Sequence, residues 1–189
     1  MSGTMLFSMR KTMFKHEKIL WITRTAVLIA ITVALQAATR PLGQPYITGS
    51  IVNLMLIISV MTCGLYSGLT VGAITPIMAA LLVIAPSWLH APFISAGNMA
   101  LVLVWHLIGN REIGNRYIAY IAAMIVGALA KFVIIHFGVV WLMMGIRTFN
   151  VVALMANPFS IPQIITATIG GICAIILLPL LLKAIRERH

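Results

Sequence analysis

Apolar residues run along this chain in six long stretches, each closed by a short polar or Gly/Pro-containing break. At about 20 residues per bilayer crossing, the pattern predicts transmembrane helices over 20–38, 48–66, 69–84, 92–108, 118–137 and 161–182. Thr39-Arg40-Pro41-Leu42-Gly43-Gln44-Pro45 breaks the first from the second, and Tyr66-Ser67-Gly68 predicts a very tight second turn. Ala85-Pro86 ends the third, and the polar run Gly109-Asn110-Arg111-Glu112-Ile113-Gly114-Asn115-Arg116 separates the fourth from the fifth. The longest connection, 139–162, has the mixed composition of a partly helical segment lying at the membrane surface.

The expected fold is therefore an all-α integral membrane protein of six transmembrane helices, with both termini cytoplasmic. One membrane domain covers 1–189: a cytoplasmic N-terminal segment 1–19, a six-helix bundle 20–182 and a cytoplasmic tail 183–189. Orientation comes from the basic residues. Arg10, Lys11, Lys15, Lys18, Arg24, Arg111, Arg116, Lys183, Arg186 and Arg188 fall on one side of this arrangement, while only Arg40 and Arg147 fall on the other. That asymmetry places the ten-residue side in the cytoplasm. Arg10, Lys11, Lys15 and Lys18 ahead of an apolar run resemble a signal peptide, but no A-x-A site closes the run and further apolar stretches follow, so it reads as a retained first helix.

Composition agrees: 61% of residues are hydrophobic and 8% charged, against about a quarter charged in ordinary globular domains. The net charge of +10 does not indicate nucleic acid, because the basic residues flank apolar segments rather than forming a stripe on a polar face. Cys63 and Cys173 sit inside apolar stretches without metal or redox spacing. Trp21, Trp88 and Trp141 lie near predicted span ends, as interfacial or packing residues.

The acids are Glu17, Glu112 and Glu187, all outside the spans, which argues against a buried carboxylate relay for protons. No G-x-S-x-G, H-E-x-x-H or phosphate-binding glycine loop is present, so neither a catalytic residue nor an intrinsic ATPase is expected. Against this apolar background, a few polar residues share one depth. Asn53 and Asn98 lie at similar levels in the second and fourth spans, Lys131 lies roughly two-thirds of the way across the fifth, Gln163 opens the sixth, and Arg40 and Gln44 lie in the first outer loop. Lys131 at that depth costs about 2.5–3.5 kcal/mol unless it finds a partner or snorkels. An anionic or carbonyl-rich ligand is one explanation and snorkelling to the outer headgroups the other. Either Asn taken alone is ordinary interhelical glue; their shared level suggests a common cavity. Trp88, His90, His136, Trp141 and Asn150 flank the same region, whereas His106 falls at the cytoplasmic end with a structural role expected.

Ala26, Ala30, Ala34 and Ala38 recur every four residues along the first span, forming a slowly turning ridge of small side chains. Such a ridge lets another helix approach closely in lipid, whether that helix belongs to this chain or to another.

A basic N-terminus, a first helix carrying A-x-x-x-A, six spans in under 200 residues and no coupling machinery resemble the substrate-specific S-component of energy-coupling factor importers, the ABC-type systems for vitamins and metal ions in prokaryotes. The resemblance covers roughly 20–182. Thr48-Gly49-Ser50-Ile51-Val52-Asn53, Gly72-Ala73-Ile74-Thr75-Pro76 and Pro92-Phe93-Ile94-Ser95-Ala96-Gly97-Asn98 also look like the vitamin-binding members. The resemblance implies that Ala26, Ala30 and Ala34 dock onto a transmembrane scaffold subunit, itself seated on two cytoplasmic ATPases that hydrolyse the ATP. It implies a multi-pass protein of the prokaryotic cell membrane, with no cofactor or metal of its own. It implies substrate capture near the outer surface, where Arg40, Gln44, Asn53, Asn98, Lys131, Gln163, Trp88 and His90 are the candidate residues, followed by toppling of the loaded subunit. The segment 64–70 departs from the family's cytoplasmic pattern in having no basic residue. An N-terminus without clustered histidines argues against nickel or cobalt, leaving an organic vitamin, with cobalamin ahead of pantothenate on the length of the outer loops. The competing readings are a membrane enzyme or assembly factor acting on lipid, and an independent secondary transporter.

Overall fold

The computed structural model describes residues 3–82, 88–111, 115–144 and 161–187, with side chains from residue 17 onward except 89 and 140–144. Six helices carry these residues: α1 Gly3–Thr39, α2 Pro45–Cys63, α3 Leu65–Leu81, α4 Ala91–Val104, α5 Arg116–Met144 and α6 Ile161–Arg186. Trp105–Gly109 prolongs α4 as a π-helical turn. Counting that turn with α4, five helices are long and apolar enough to cross a membrane; α3, at 17 residues, is apolar but shorter.

Turn chemistry explains the helix ends. Pro45, Pro92 and Pro162 occupy first-turn positions, where a missing N–H is harmless. Gly43 ends the Arg40–Leu42 turn with φ +63°. Gly64, with φ +87°, is the single-residue joint between α2 and α3, a backbone region that glycine enters without the usual steric penalty. The turn expected at Tyr66-Ser67-Gly68 is thus corrected: those residues lie inside α3, and Ser67 is buried, accepting a 2.9 Å hydrogen bond from Thr25 Oγ1 of α1.

Two helices outrun their expected spans. α1 extends back to Gly3 through the segment assigned to an N-terminal tail, and its 37 residues measure about 55 Å, well beyond a hydrocarbon core of about 30 Å. α6 runs on to Arg186, into the assigned tail. α5 continues to Met144, so the first part of the expected surface segment is helical, while 145–160, with Arg147 and Asn150, lies outside the described residues, as do Ala85-Pro86 and Glu112.

Side-chain registers show how the helices lie. Across α3 and α4, Gly72 faces Asn98 and Gly68 faces Val102; across α4 and α5, Gly138 faces Phe93 and Gly127 faces Leu101; both pairs are antiparallel. Gly49 and Gly170 set α2 and α6 parallel, against Thr166 and Asn53. One end of the bundle, here the Arg40 end, therefore holds the close of α1, α3 and α5 and the start of α2, α4 and α6. Gly64 marks the opposite end.

Lipid offers no solvophobic drive for apolar helices to associate, so close packing and hydrogen bonds must hold them. A Cβ on Gly170 would stand 2.8 Å from the Ser50 carbonyl oxygen and 3.0 Å from the Leu54 nitrogen. Backbone touches backbone there, and only hydrogen fits. The central core includes Leu56, Val71, Leu101, Trp105, Tyr120 and Leu178. Large apolar side chains such as Ile22, Ile125, Ile176 and Leu180 cover the outside, the inverse of a water-soluble surface.

Candidate functional site

The site begins with a proline. Pro76 lies inside α3 and has no N–H, so the carbonyl of Gly72, four residues earlier, loses its helical donor. Asn98 of α4 fills the vacancy, its Nδ2 donating to Gly72 O at 3.4 Å. Ser95, one turn earlier, donates to Ala73 O at 3.0 Å. With Nδ2 occupied on α3, Asn98 presents Oδ1 to α5.

Lys131 of α5 meets it there. Nζ donates to Asn98 Oδ1 at 2.8 Å and to Asn53 Oδ1 at 2.6 Å. Asn53 is fixed in turn by Nδ2, which donates to Thr166 Oγ1 on α6 at 3.3 Å, and Thr166 donates to the Gln163 carbonyl at 3.2 Å. Asn53 and Asn98 are wholly buried and Lys131 is 3% exposed. Snorkelling is therefore not what this side chain does: it turns inward, and two amide dipoles offset part of its desolvation.

Beside this cluster, towards the Arg40 end, lies a cavity of about 170 Å³. Lys131, Asn98, Gln36, Thr48 and Gln163 give it polar groups. Val52, Pro76, Ala79 and Ile94 give it apolar wall. Asn53 stands behind Lys131 as a positioning residue. The Thr39 and Thr48 hydroxyls, 2.8 Å apart, tie α1 to α2 next to the cavity.

Of the candidates read from the sequence, Asn98, Lys131 and Gln163 line the cavity and Asn53 supports it. Arg40 and Gln44 are exposed in the α1–α2 connection, Trp88 is 55% exposed and His90 is buried at the start of α4; none of these four is at the cavity wall. His136 stacks on Phe132 at 5.1 Å. His106, at the Gly64 end, has its Nδ1 3.2 Å from Asn110 Nδ2. Sequence reasoning missed Gln36 and Thr166. The available signal for Gln36 was its place on a polar stripe with Thr25 and Thr32, all three buried, spaced as one helical face.

The alanines lie elsewhere on α1. With Thr25, Thr32 and Gln36 turned inward, Ala26, Ala30 and Ala34 are exposed on the outer side of the bundle.

Among the described residues, no group of three or more His, Cys, Asp or Glu is arranged to hold a metal ion. No family model, curated protein or solved structure matches the chain.

Proposed function

We propose that this protein is the substrate-binding membrane subunit of an energy-coupling factor importer in a prokaryotic cell membrane. It crosses the bilayer six times with both termini in the cytoplasm, captures a water-soluble vitamin at the outer face, and delivers it by toppling together with a scaffold subunit and two ATPases. The observation that carries this reading is Lys131, held inward between Asn53 and Asn98 at the wall of a cavity near one end of an otherwise apolar bundle. Among the described residues no acid pairs with it, and an intramembrane charge of that kind supports a binding role.

Two further features support it. The exposed alanine face of α1 offers a smooth strip on which a scaffold helix can lie closely, and an apolar exterior lets the body reorient in lipid at small cost. The sequence carries no phosphate-binding glycine loop, which supports a reading in which partner subunits supply the energy. The cavity's modest volume favours pantothenate, or a vitamin of similar compactness, over cobalamin.

Affinity purification of the tagged full-length chain from its native host tests the proposal. Recovery of one membrane scaffold with paired ATPases is expected; a chain that recruits neither contradicts it.

A further inference from the structure

We infer that the cavity at the Arg40 end takes a compact organic carboxylate, its anionic group on Lys131 Nζ and an N–H or O–H of its far end on Gln36 Oε1. Two independent observations carry this. An ammonium has three N–H donors, and Lys131 donates to two partners, Asn53 and Asn98, neither of which carries a counter-charge; a third N–H is left for the cavity it lines. Among the described residues, Glu17 and Glu187 are exposed and lie towards the Gly64 end, so neither supplies the counter-charge.

Gln36 is the second observation. It is 7% exposed, lines the same cavity, and its Oε1 has no hydrogen-bond partner. A buried acceptor without a donor loses about 1–3 kcal/mol, and a carboxylate oxygen cannot repair it because it too only accepts. A ligand that answers both groups as they stand is two-ended, anionic towards α5 and hydrogen-donating towards α1. A halide or other simple anion satisfies Lys131 alone.

Volume sets the scale. A protein cavity of about 150 Å³ holds benzene, so 170 Å³ admits one ring or a short branched chain. Val52, Ala79 and Ile94 supply apolar wall for that middle portion.

This inference deepens the import reading by naming the cargo's chemistry, but binding itself needs no partner subunit. The test is calorimetric titration of the full-length chain in phosphatidylcholine nanodiscs, whose lipid carries no carboxylate. Four probes are used: 4-aminobenzoate; 4-aminobenzamide, which lacks the charge; benzoate, which lacks the donor; and pantothenate. Saturable binding of 4-aminobenzoate or pantothenate is expected, with 4-aminobenzamide and benzoate each weaker than 4-aminobenzoate by about tenfold. Gln36→Leu, which leaves the Lys131 cluster intact, should erase the preference for 4-aminobenzoate over benzoate while the protein stays monodisperse. Equal binding of 4-aminobenzamide and 4-aminobenzoate, an unchanged preference in Gln36→Leu, or no saturable carboxylate binding overturns the inference. A chain that binds carboxylates yet recruits no scaffold leaves this inference standing and sinks the import reading instead.

Discussion

Lys131 and Asn53 stand 78 positions apart in the chain, yet Nζ of the first donates to Oδ1 of the second over 2.6 Å with both side chains buried. That one bond joins α5 to α2, and Asn53 carries it on to α6 through Thr166. Asn98 brings α4 to the same cation, so α2, α4 and α5 meet at Lys131 Nζ and α6 is tied in through Asn53.

Coupling between the two residues is measurable. In a double-mutant cycle of Lys131→Met and Asn53→Leu, followed by reversible unfolding in mixed micelles, the losses should be non-additive by about 0.6–1.7 kcal/mol, the range found for interhelical hydrogen bonds in membranes. Additivity within about 0.3–0.5 kcal/mol would mean that the bond does not contribute.

Asn98→Leu removes one acceptor from Lys131 and a polar group from the cavity wall. Ligand capture should weaken about tenfold, as expected for a lost hydrogen bond to a charged group, while assembly with the scaffold persists. Assembly lost with capture intact would contradict the assignment of Asn98 to the ligand.

Gly170→Ala places a methyl 2.7 Å from Asn53 Cβ and 2.8 Å from the Ser50 carbonyl oxygen. Neither backbone can retreat without moving α6 off α2, so a loss of about 1–3 kcal/mol is expected, the range for overpacking. The lower unfolding midpoint should be accompanied by weaker ligand binding, because Asn53 moves with the seam.

Much of this arrangement was legible in the sequence. The apolar runs gave the helices, and giving each polar residue a depth brought Asn53, Asn98, Lys131 and Gln163 to one region before any coordinates. Depth alone did not give azimuth. Arg40, Gln44 and Trp88 share the right end of the bundle but are exposed and do not line the cavity, and His90 is buried without lining it. Gln36 was hidden for the converse reason. It sits among alanines near the end of α1, and its inward direction follows only when the face of Thr25 and Thr32 is known. The joint at Gly64 was misplaced because Gly64 and Gly68 are equally good local breakers; packing of Gly68 against Val60 and Val102 keeps the latter inside α3.

Ala30→Leu tests the other face of α1. Ala30 is exposed, so stability should change by less than about 0.5 kcal/mol and ligand binding not at all. Co-purification with the scaffold should fall sharply, because the added isobutyl group keeps a partner helix at a distance. Unaltered recovery of the scaffold would remove Ala30 from the docking face.

The central claim is that Lys131 holds a captured small molecule inside an apolar membrane body. Native mass spectrometry of the gently purified full-length protein, challenged with a panel of vitamins, measures this most directly. One small-molecule adduct is expected on the wild-type chain, lost from folded Lys131→Met. An adduct that survives that substitution, or a wild-type chain that retains no member of the panel, would contradict it.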